Sequence, residues 1–134
     1  MYEELTAKAA QAAKNAYAPY SHFAVGAALL CADGTVFCGC NVENASYSAT
    51  VCAERSALFA AVSAGKRHFT ALAVHTPDSC EAFCPCAECL QTLSEFCGSD
   101  LKILCTAPGR QETSSAGTDS HQHAEYSVYL RRGL

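Results

Sequence analysis

The sequence has no excess of positive charge. Its 134 residues contain 9 Lys and Arg against 13 Asp and Glu, which gives a formal net charge of −4. A protein that binds nucleic acid through the phosphates needs a basic face. We therefore expect no nucleic-acid partner.

The sequence also lacks the hydrophobic segments that direct a chain to a membrane. No apolar run reaches the roughly 18 residues that indicate a transmembrane helix. Residues 1–4 show neither the basic start nor the apolar core of a secretory signal. We expect no membrane partner and a cytoplasmic location.

Internal repeats and a clear linker are missing as well. The length is typical of one domain, and an apolar content of 50% argues against disorder. We expect residues 1–134 to form a single domain around one hydrophobic core.

Cysteine, in contrast, is abundant, with 10 in 134 residues. This density approaches that of small disulfide-rich scaffolds. In a chain without a secretory signal the expected compartment is reducing, and a cysteine cluster there more often serves metal binding or catalysis. The cysteines are therefore candidates for chemistry before they are candidates for cross-links.

Helical and strand patterns alternate along the chain. Periodicity and turn residues predict helices over 3–17 and 52–64, a third helix beginning near Pro85, and strands over 22–31, 35–40, 70–76 and 101–106. The polar residues 107–124 are predicted to form a surface loop, and residues 125–132 fit either a strand or a helix. Strands separated by helices imply crossovers over a covered sheet. The order predicts a three-layer α/β/α fold with a central mixed sheet.

Two cysteine motifs lie at predicted helix starts, CAER at residues 52–55 and PCAEC at residues 85–89. Cys86 and Cys89, at positions i and i+3, share one helix face, and a helix N-terminus favours the thiolate form. Three thiolates leave the fourth tetrahedral position of zinc open, as in catalytic sites. The spacing predicts zinc held by Cys52, Cys86 and Cys89, with Glu54 close enough to reach the open position without being a ligand. This arrangement resembles that of zinc deaminases.

Other interpretations of these residues remain open. Cys84 or Cys97 would complete a closed, structural four-cysteine zinc site, and the Cys86–Cys89 pair alone would suit a redox motif. Neither alternative explains the Cys-Ala-Glu sequence at a helix start.

Arg55 is the candidate for balancing charge at such a site. Zn²⁺ with three thiolates carries a formal negative charge that opposes the ionisation of water at the metal. Arg55 lies three residues after Cys52, so its guanidinium can donate hydrogen bonds to thiolates. The alternative is an ordinary surface cation.

Four ordered segments resemble the small, homotetrameric type of cytidine deaminase. They are PYSHFAVGAA (19–28), GCNVENASY (39–47), CAER (52–55) and PCAECLQ (85–91). The resemblance implies the deaminase fold, one zinc per subunit and a homotetramer. It also implies a hydrolase of pyrimidine salvage that converts the nucleosides cytidine and deoxycytidine to uridine and deoxyuridine, with release of ammonia.

The resemblance assigns roles around the nucleoside. Phe23 would pack against the pyrimidine ring, and Asn41 and Glu43 would hydrogen-bond the ribose 3′-hydroxyl, which both donates and accepts. Taken without the resemblance, Phe23 is a core residue and the other two are turn residues.

Further roles concern the reacting end of the base. The Ala53 N–H and Glu54 would hold the pyrimidine edge, and Glu54 would carry protons from water to the ring and then to the leaving amine. The Cys84 carbonyl would face that amine, and Tyr47 would reach a neighbouring subunit's site.

The sequence departs from the family pattern in four places. Ala87 replaces a usual Gly, Leu90 replaces an Arg, and Cys84 replaces a Ser or Thr. The polar residues 107–124 replace a short turn into a fifth strand, and the tail after residue 125 lacks the family's Leu-Pro segment and terminal aromatic. Leu90 adds no charge for a local ion pair, and in the family that this chain resembles the tail helps to close a neighbouring active site.

Rival functions differ at the same motifs. Deaminases of deoxycytidylate, tRNA adenosine and DNA cytosine usually carry His-x-Glu where this chain has Cys52-Ala53-Glu54. Blasticidin-type deaminases share the three cysteines but are not expected to carry the NVENA segment at 41–45. A rival of another class is a zinc-stabilised module without catalysis.

Overall fold

The computed structural model describes residues 2–79, 85–98 and 100–115. The helices are α1 (Glu3–Ala13), α2 (Ala53–Ser63) and α3 (Ala87–Ser94), and the strands are β1 (Gly26–Cys31), β2 (Val36–Cys40), β3 (Phe69–His75), β4 (Lys102–Ala107) and β5 (Arg110–Ser115). In this part of the chain no helix has both the length and the apolar character needed to cross a bilayer.

The five strands form one mixed sheet in the order β2-β1-β3-β4-β5. β1 pairs antiparallel with both β2 and β3, β3 pairs parallel with β4, and β5 pairs antiparallel with β4. A parallel pair requires a crossover connection, and α3 lies within the one that joins β3 to β4. The predicted mixed sheet is confirmed.

One face of the sheet is covered by α1. Leu5 and Ala9 of the helix pack against Ala28 and Leu104 of the sheet. The helix lies very close to the sheet because β1 begins with glycine. A Cβ atom on Gly26 would lie 1.9 Å from the Ala9 carbonyl oxygen.

The opposite face is covered by α2 and α3, which complete the three predicted layers. Their buried apolar side chains form one core with those of the central strands. This core includes Ala57, Leu58, Leu90, Leu93, Leu29, Leu72 and Ile103. The arrangement fixes the starts of α2 and α3 side by side at one end of the sheet.

Two predicted elements are shorter than the sequence pattern indicated. The first helix ends at Ala13 instead of residue 17, and β1 begins at Gly26 instead of His22. The apolar run from residue 22 was predicted as strand throughout. Most backbone N–H groups of residues 20–25 bond to side chains instead of a neighbouring strand.

The loop prediction for residues 107–124 is wrong at its start. Residues 110–115 form β5, which pairs in register with β4 from Ala107–Arg110 to Lys102–Ser115. Pro108 and Gly109 make the turn, and Gly109 has a φ of 75°, a conformation open to glycine. This tight turn therefore allows residues 110–115 to pair with β4 as a fifth strand, although these residues are polar. Residues 116–134 lie outside the described residues.

Candidate active site and metal centre

Three cysteine thiols meet at the N-termini of α2 and α3. Cys52 and Cys86 immediately precede these helices, and Cys89 lies in the first turn of α3. The Sγ atoms of Cys52 and Cys86 are 4.0 Å apart, and those of Cys86 and Cys89 are 3.3 Å apart. All three Sγ atoms lie within 4.8 Å of one another. The fold thus brings together the three predicted ligands.

The geometry of the three sulfurs suits a tetrahedral metal. With Zn–S bonds of about 2.3 Å, two thiolates of a tetrahedral zinc site lie roughly 3.8 Å apart. The 3.3 and 4.0 Å separations of the sulfurs fall on either side of this value. None of the three forms a disulfide, so the donor set is available to a soft metal ion.

A fourth cysteine does not complete this cluster among the described residues. Cys97, a candidate for a closed zinc site, is buried in the core three residues after the end of α3 and is not part of the group. Burial raises the pKa of its thiol to about 12, which favours the neutral, inert form. Cys84, the other candidate, lies outside the described residues.

The thiols strongly influence one another's protonation. Hydrogen bonding with Cys52 and Cys89 lowers the pKa of the Cys86 thiol. Hydrogen bonding of Cys89 with Cys52 and Cys86 raises the pKa of the Cys89 thiol. Three negative sulfurs at this spacing repel one another, so the cluster requires a positive charge to hold all three as thiolates.

Arg55 of α2, the helix that begins just after Cys52, provides one such positive charge. Its Nη2 atom donates to Cys52 Sγ at 3.5 Å and to the Thr50 carbonyl oxygen at 3.3 Å. The same atom lies 3.5 Å from Glu88 Oε2. The hydrogen bond to Cys52 raises the pKa of Arg55, so the guanidinium remains charged. The predicted contact between Arg55 and a cysteine sulfur is therefore present.

Glu54 is the buried carboxyl of the site. Only 5% of its surface is exposed, and this burial raises the pKa of the carboxyl. A raised pKa suits a group that must accept a proton and release it again near neutral pH. Its position in the first turn of α2, two residues after Cys52, keeps it next to the sulfurs.

A cavity of about 500 Å³ opens beside these groups. Its wall contains eight of the predicted site residues: Phe23, Asn41, Glu43, Tyr47, Cys52, Ala53, Glu54 and Cys86. Ala53 begins α2, where a backbone N–H has no acceptor within the helix and so can serve a ligand. Tyr47 is 90% exposed at the rim.

Asn41 and Glu43 are tied to the segment that carries Phe23. Asn41 Oδ1 accepts from Val25 N at 2.9 Å, and its Nδ2 donates to the Phe23 carbonyl at 2.8 Å. Glu43 accepts from the backbone N–H groups of Tyr20 and Ser21. These residues therefore shape the cavity wall as well as lining it.

Two departures from the family pattern fall on α3. Leu90, where the pattern has an arginine, is buried in the core and adds no charge to the site. The cation at the cysteine cluster is then supplied by Arg55, whose carboxylate partner is Glu88. The side chain of Ala87 lies outside what the structure describes.

Three polar cavity residues were not predicted from the sequence. Ser21, Thr50 and Thr76 line the cavity, although the sequence gives each the appearance of an ordinary polar residue. Ser21 lies inside the PYSHFAVGAA segment, so its place beside Phe23 was the available signal.

Comparisons with known proteins agree with this geometry. Residues 1–105 match the family described as "Cytidine and deoxycytidylate deaminase zinc-binding region". The cytidine deaminase of Sporosarcina psychrophila is 50% identical over 104 residues, which cover 78% of this chain and 76% of that protein. The cytidine deaminase of Halalkalibacterium halodurans is 50% identical over 99 residues, 74% of each chain.

Solved structures give the same result for the fold. A crystal structure of cytidine deaminase from Burkholderia pseudomallei has a TM-score of 0.83 and 45% identity, covering 87% of this chain and 94% of that one. The enzyme from Mycobacterium tuberculosis has a TM-score of 0.76 and 39% identity, covering 99% and 98%. The chain belongs to the cytidine and deoxycytidylate deaminase zinc-binding family.

Proposed function

We propose that this protein is a zinc-dependent hydrolase that converts cytidine and deoxycytidine to uridine and deoxyuridine and releases ammonia. The observation that carries the proposal is the cavity whose wall contains Cys52, Cys86 and the buried Glu54. A closed structural zinc site fills all four positions of the metal with protein ligands. Neither a buried carboxyl nor an open cavity beside its thiols is expected of such a site.

Cys52, Cys86 and Cys89 would hold one zinc ion per chain. Bound zinc is a Lewis acid that activates water for attack on the substrate. Arg55 donates to Cys52 Sγ and so offsets the negative charge of the thiolates. The N-termini of α2 and α3 add their positive ends at the same point.

Glu54 is the group proposed to move protons. Its carboxylate accepts a proton from the attacking water and delivers it to ring N3, which makes C4 more electrophilic. Once the water oxygen has bonded to C4, Glu54 takes the remaining proton of that hydroxyl and passes it to the amino group. The C4–N bond then breaks, ammonia leaves and C4 becomes the carbonyl carbon of uridine. One side chain acts in turn as base and acid, and burial raises the pKa of the Glu54 carboxyl, which favours the form that carries the proton between the two steps.

The cavity wall offers matching groups for a nucleoside. Phe23 supplies an apolar surface for the pyrimidine, and the Ala53 N–H lies at the edge next to Glu54. One amide hydrogen of Asn41 remains after its bond to Phe23, and one oxygen of Glu43 still has room to accept. A donor and an acceptor together suit a single sugar hydroxyl. The proposed role of the Cys84 carbonyl lies outside the described residues.

A nucleoside fits this cavity better than a nucleotide. Its charged lining residues are Glu43 and Glu54, and no Lys, Arg or His of the described chain lines it. A phosphate group is normally met by cations or by a helix N-terminus that is free to bind it. Here the starts of α2 and α3 face the cysteine cluster, and the Ala53 N–H is assigned to the pyrimidine edge and not to a phosphate.

The assembly and setting follow from the same proposal. Tyr47 lines the cavity yet is 90% exposed, which supports a homotetramer in which a neighbouring subunit covers the rim. We propose residues 1–134 as one catalytic domain acting in pyrimidine salvage in the cytoplasm, without nucleic-acid or membrane partners.

The test is deamination by the zinc-loaded protein, followed as the fall in absorbance of cytidine near 280 nm. We expect turnover of cytidine and deoxycytidine, and far slower turnover of deoxycytidylate at the same concentration. Removal of the metal with a chelator should abolish turnover, and added zinc should restore it. A protein that binds zinc and turns over none of these substrates would instead be a zinc-stabilised module.

A further inference from the structure

The chain between α1 and β1 passes along the cavity as a strap, residues 20–25, whose backbone is held largely by side chains. Glu43 Oε1 accepts from the backbone N–H groups of Tyr20 at 3.0 Å and Ser21 at 3.1 Å. Asp78 Oδ2 accepts from Ala24 N at 3.1 Å. The position of the cavity wall therefore depends on a few polar side chains.

Ser21 lies at the centre of this arrangement. Its hydroxyl donates to Glu43 Oε2 and accepts from the backbone N–H of Phe23. The residue between them, His22, has a φ of 58°, a left-handed conformation that turns the chain back on itself. Ser21, Phe23 and Glu43 all line the cavity.

These hydrogen bonds leave some acceptor positions on Glu43 and Ser21 free for a ligand. A carboxylate offers about four acceptor positions, two on each oxygen. Oε1 of Glu43 uses both of its positions on backbone N–H groups, whereas Oε2 has only the Ser21 hydroxyl. The serine oxygen retains one lone pair after accepting from Phe23. The free acceptors of the pair are thus one on Glu43 Oε2 and one on Ser21 Oγ.

We propose that Ser21 is a positioning residue for sugar recognition, which holds Glu43 Oε2 ready to accept a hydrogen bond from a ribose hydroxyl. The inference rests on the proposed nucleoside deaminase function. Without the serine hydroxyl, the carboxylate keeps its backbone bonds through Oε1 but its second oxygen is free to rotate. The sugar would then lose a fixed acceptor while Glu54 and the cysteines stay in place.

The test compares two substrates in wild type and in Ser21→Ala. Cytidine has the sugar hydroxyls, and 2′,3′-dideoxycytidine lacks those at the 2′ and 3′ positions. For Ser21→Ala we expect the KM for cytidine to rise about tenfold with kcat within about twofold, because a hydrogen bond to a charged group is lost from binding. For dideoxycytidine we expect kcat/KM to fall at most about threefold, because only the Ser21 bond to the Phe23 N–H is lost from its binding site.

Two further substitutions of Ser21 should raise the KM for cytidine by less than Ser21→Ala does. Ser21→Thr retains the hydroxyl and should bring the KM for cytidine back to within about threefold of wild type. Ser21→Cys keeps a similar volume with a weaker donor, so its KM should lie between those of wild type and Ser21→Ala. Together they keep the test usable if Ser21→Ala folds poorly.

Asp78→Ala is the matched control. It removes a side-chain bond to the same strap, at Ala24, without touching Glu43. Any loss in this variant should be equal for cytidine and dideoxycytidine. An equal loss on both substrates in Ser21→Ala would show that Ser21 only supports the strap, and would overturn the inference. Absence of wild-type turnover on cytidine would overturn the proposed function itself, and the inference with it.

Discussion

Single residues at this site balance charge over a few ångströms. Three cysteine sulfurs lie within 4.8 Å of one another, and the buried Glu54 adds a carboxyl to the same region. The guanidinium of Arg55, 3.5 Å from Cys52 Sγ, and the two helix N-termini offset this negative charge. Metal binding and proton transfer both depend on this balance.

Replacement of Arg55 should weaken the hold on the metal. In Arg55→Ala the cysteine cluster loses the guanidinium that donates to Cys52 Sγ, so the thiolates repel one another more strongly. We expect zinc affinity or turnover to fall about 10- to 100-fold, as is typical for groups that support metal ligands. Zinc transfer to a coloured chelator measures the affinity directly.

Glu88→Gln is the control for this change. Glu88 also contacts Arg55, but its side chain is 79% exposed, and an exposed ion pair contributes little. Zinc transfer should stay within about twofold of wild type. If Arg55→Ala leaves both zinc retention and turnover unchanged, Arg55 is an ordinary surface cation.

Residues close in sequence were easier to predict than residues joined through the fold. The i and i+3 spacing of Cys86 and Cys89, and the position of Arg55 after Cys52, follow from helix geometry alone. The contacts of Glu43 with Ser21 and of Asp78 with Ala24 span 22 and 54 residues. Nothing in local pattern indicates such bonds, so they required the structure.

At the scale of elements, the site depends on how closely α2 lies on β2. Gly39 of β2 faces this helix, and a Cβ atom there would lie 2.5 Å from Ala57 N and 2.7 Å from the Ala53 carbonyl oxygen. These are backbone atoms that cannot move without the helix. The helix carries Cys52 at its start and Glu54 in its first turn.

Gly39→Ala should therefore destabilise the fold. Overpacking at a close backbone contact typically costs 1–3 kcal/mol, and here we expect about 2 kcal/mol or more. Chemical unfolding monitored by circular dichroism measures the change. Ser63→Ala, at an exposed position on the same helix, should leave the unfolding midpoint unchanged. An unaltered midpoint in Gly39→Ala would contradict the close packing.

Elements with a strong apolar period were predicted well, and those without one were not. The hairpin β1–β2 and helix α2 agree with the sequence pattern to within a few residues, β1 having been predicted from residue 22. β5 was missed because its residues RQETSS are polar and its pairing with β4 comes from the turn at Pro108–Gly109. Residues 22–25 of the strap were predicted as strand because an apolar run does not show where its backbone hydrogen bonds go.

At the scale of the whole molecule, the fold gathers a site from distant parts of the chain. The cavity takes residues from the strap, from the segments before and within α2, from the end of β3 and from the start of α3. Composition and periodicity predicted three layers and a cysteine cluster. The roles of Phe23, Asn41 and Glu43 came from the family resemblance, because a lone aromatic or turn residue has no such signature of its own.

The central claim is that one buried carboxyl beside a three-cysteine zinc site carries the protons of deamination. Glu54→Gln changes one atom of that group and no proposed zinc ligand. The most direct test is the rate of cytidine deamination by Glu54→Gln protein shown to carry one zinc per chain. We predict full zinc content and a turnover rate reduced by about 10²- to 10⁴-fold, the usual contribution of a general acid and base. A zinc-loaded Glu54→Gln protein as active as wild type would contradict the account.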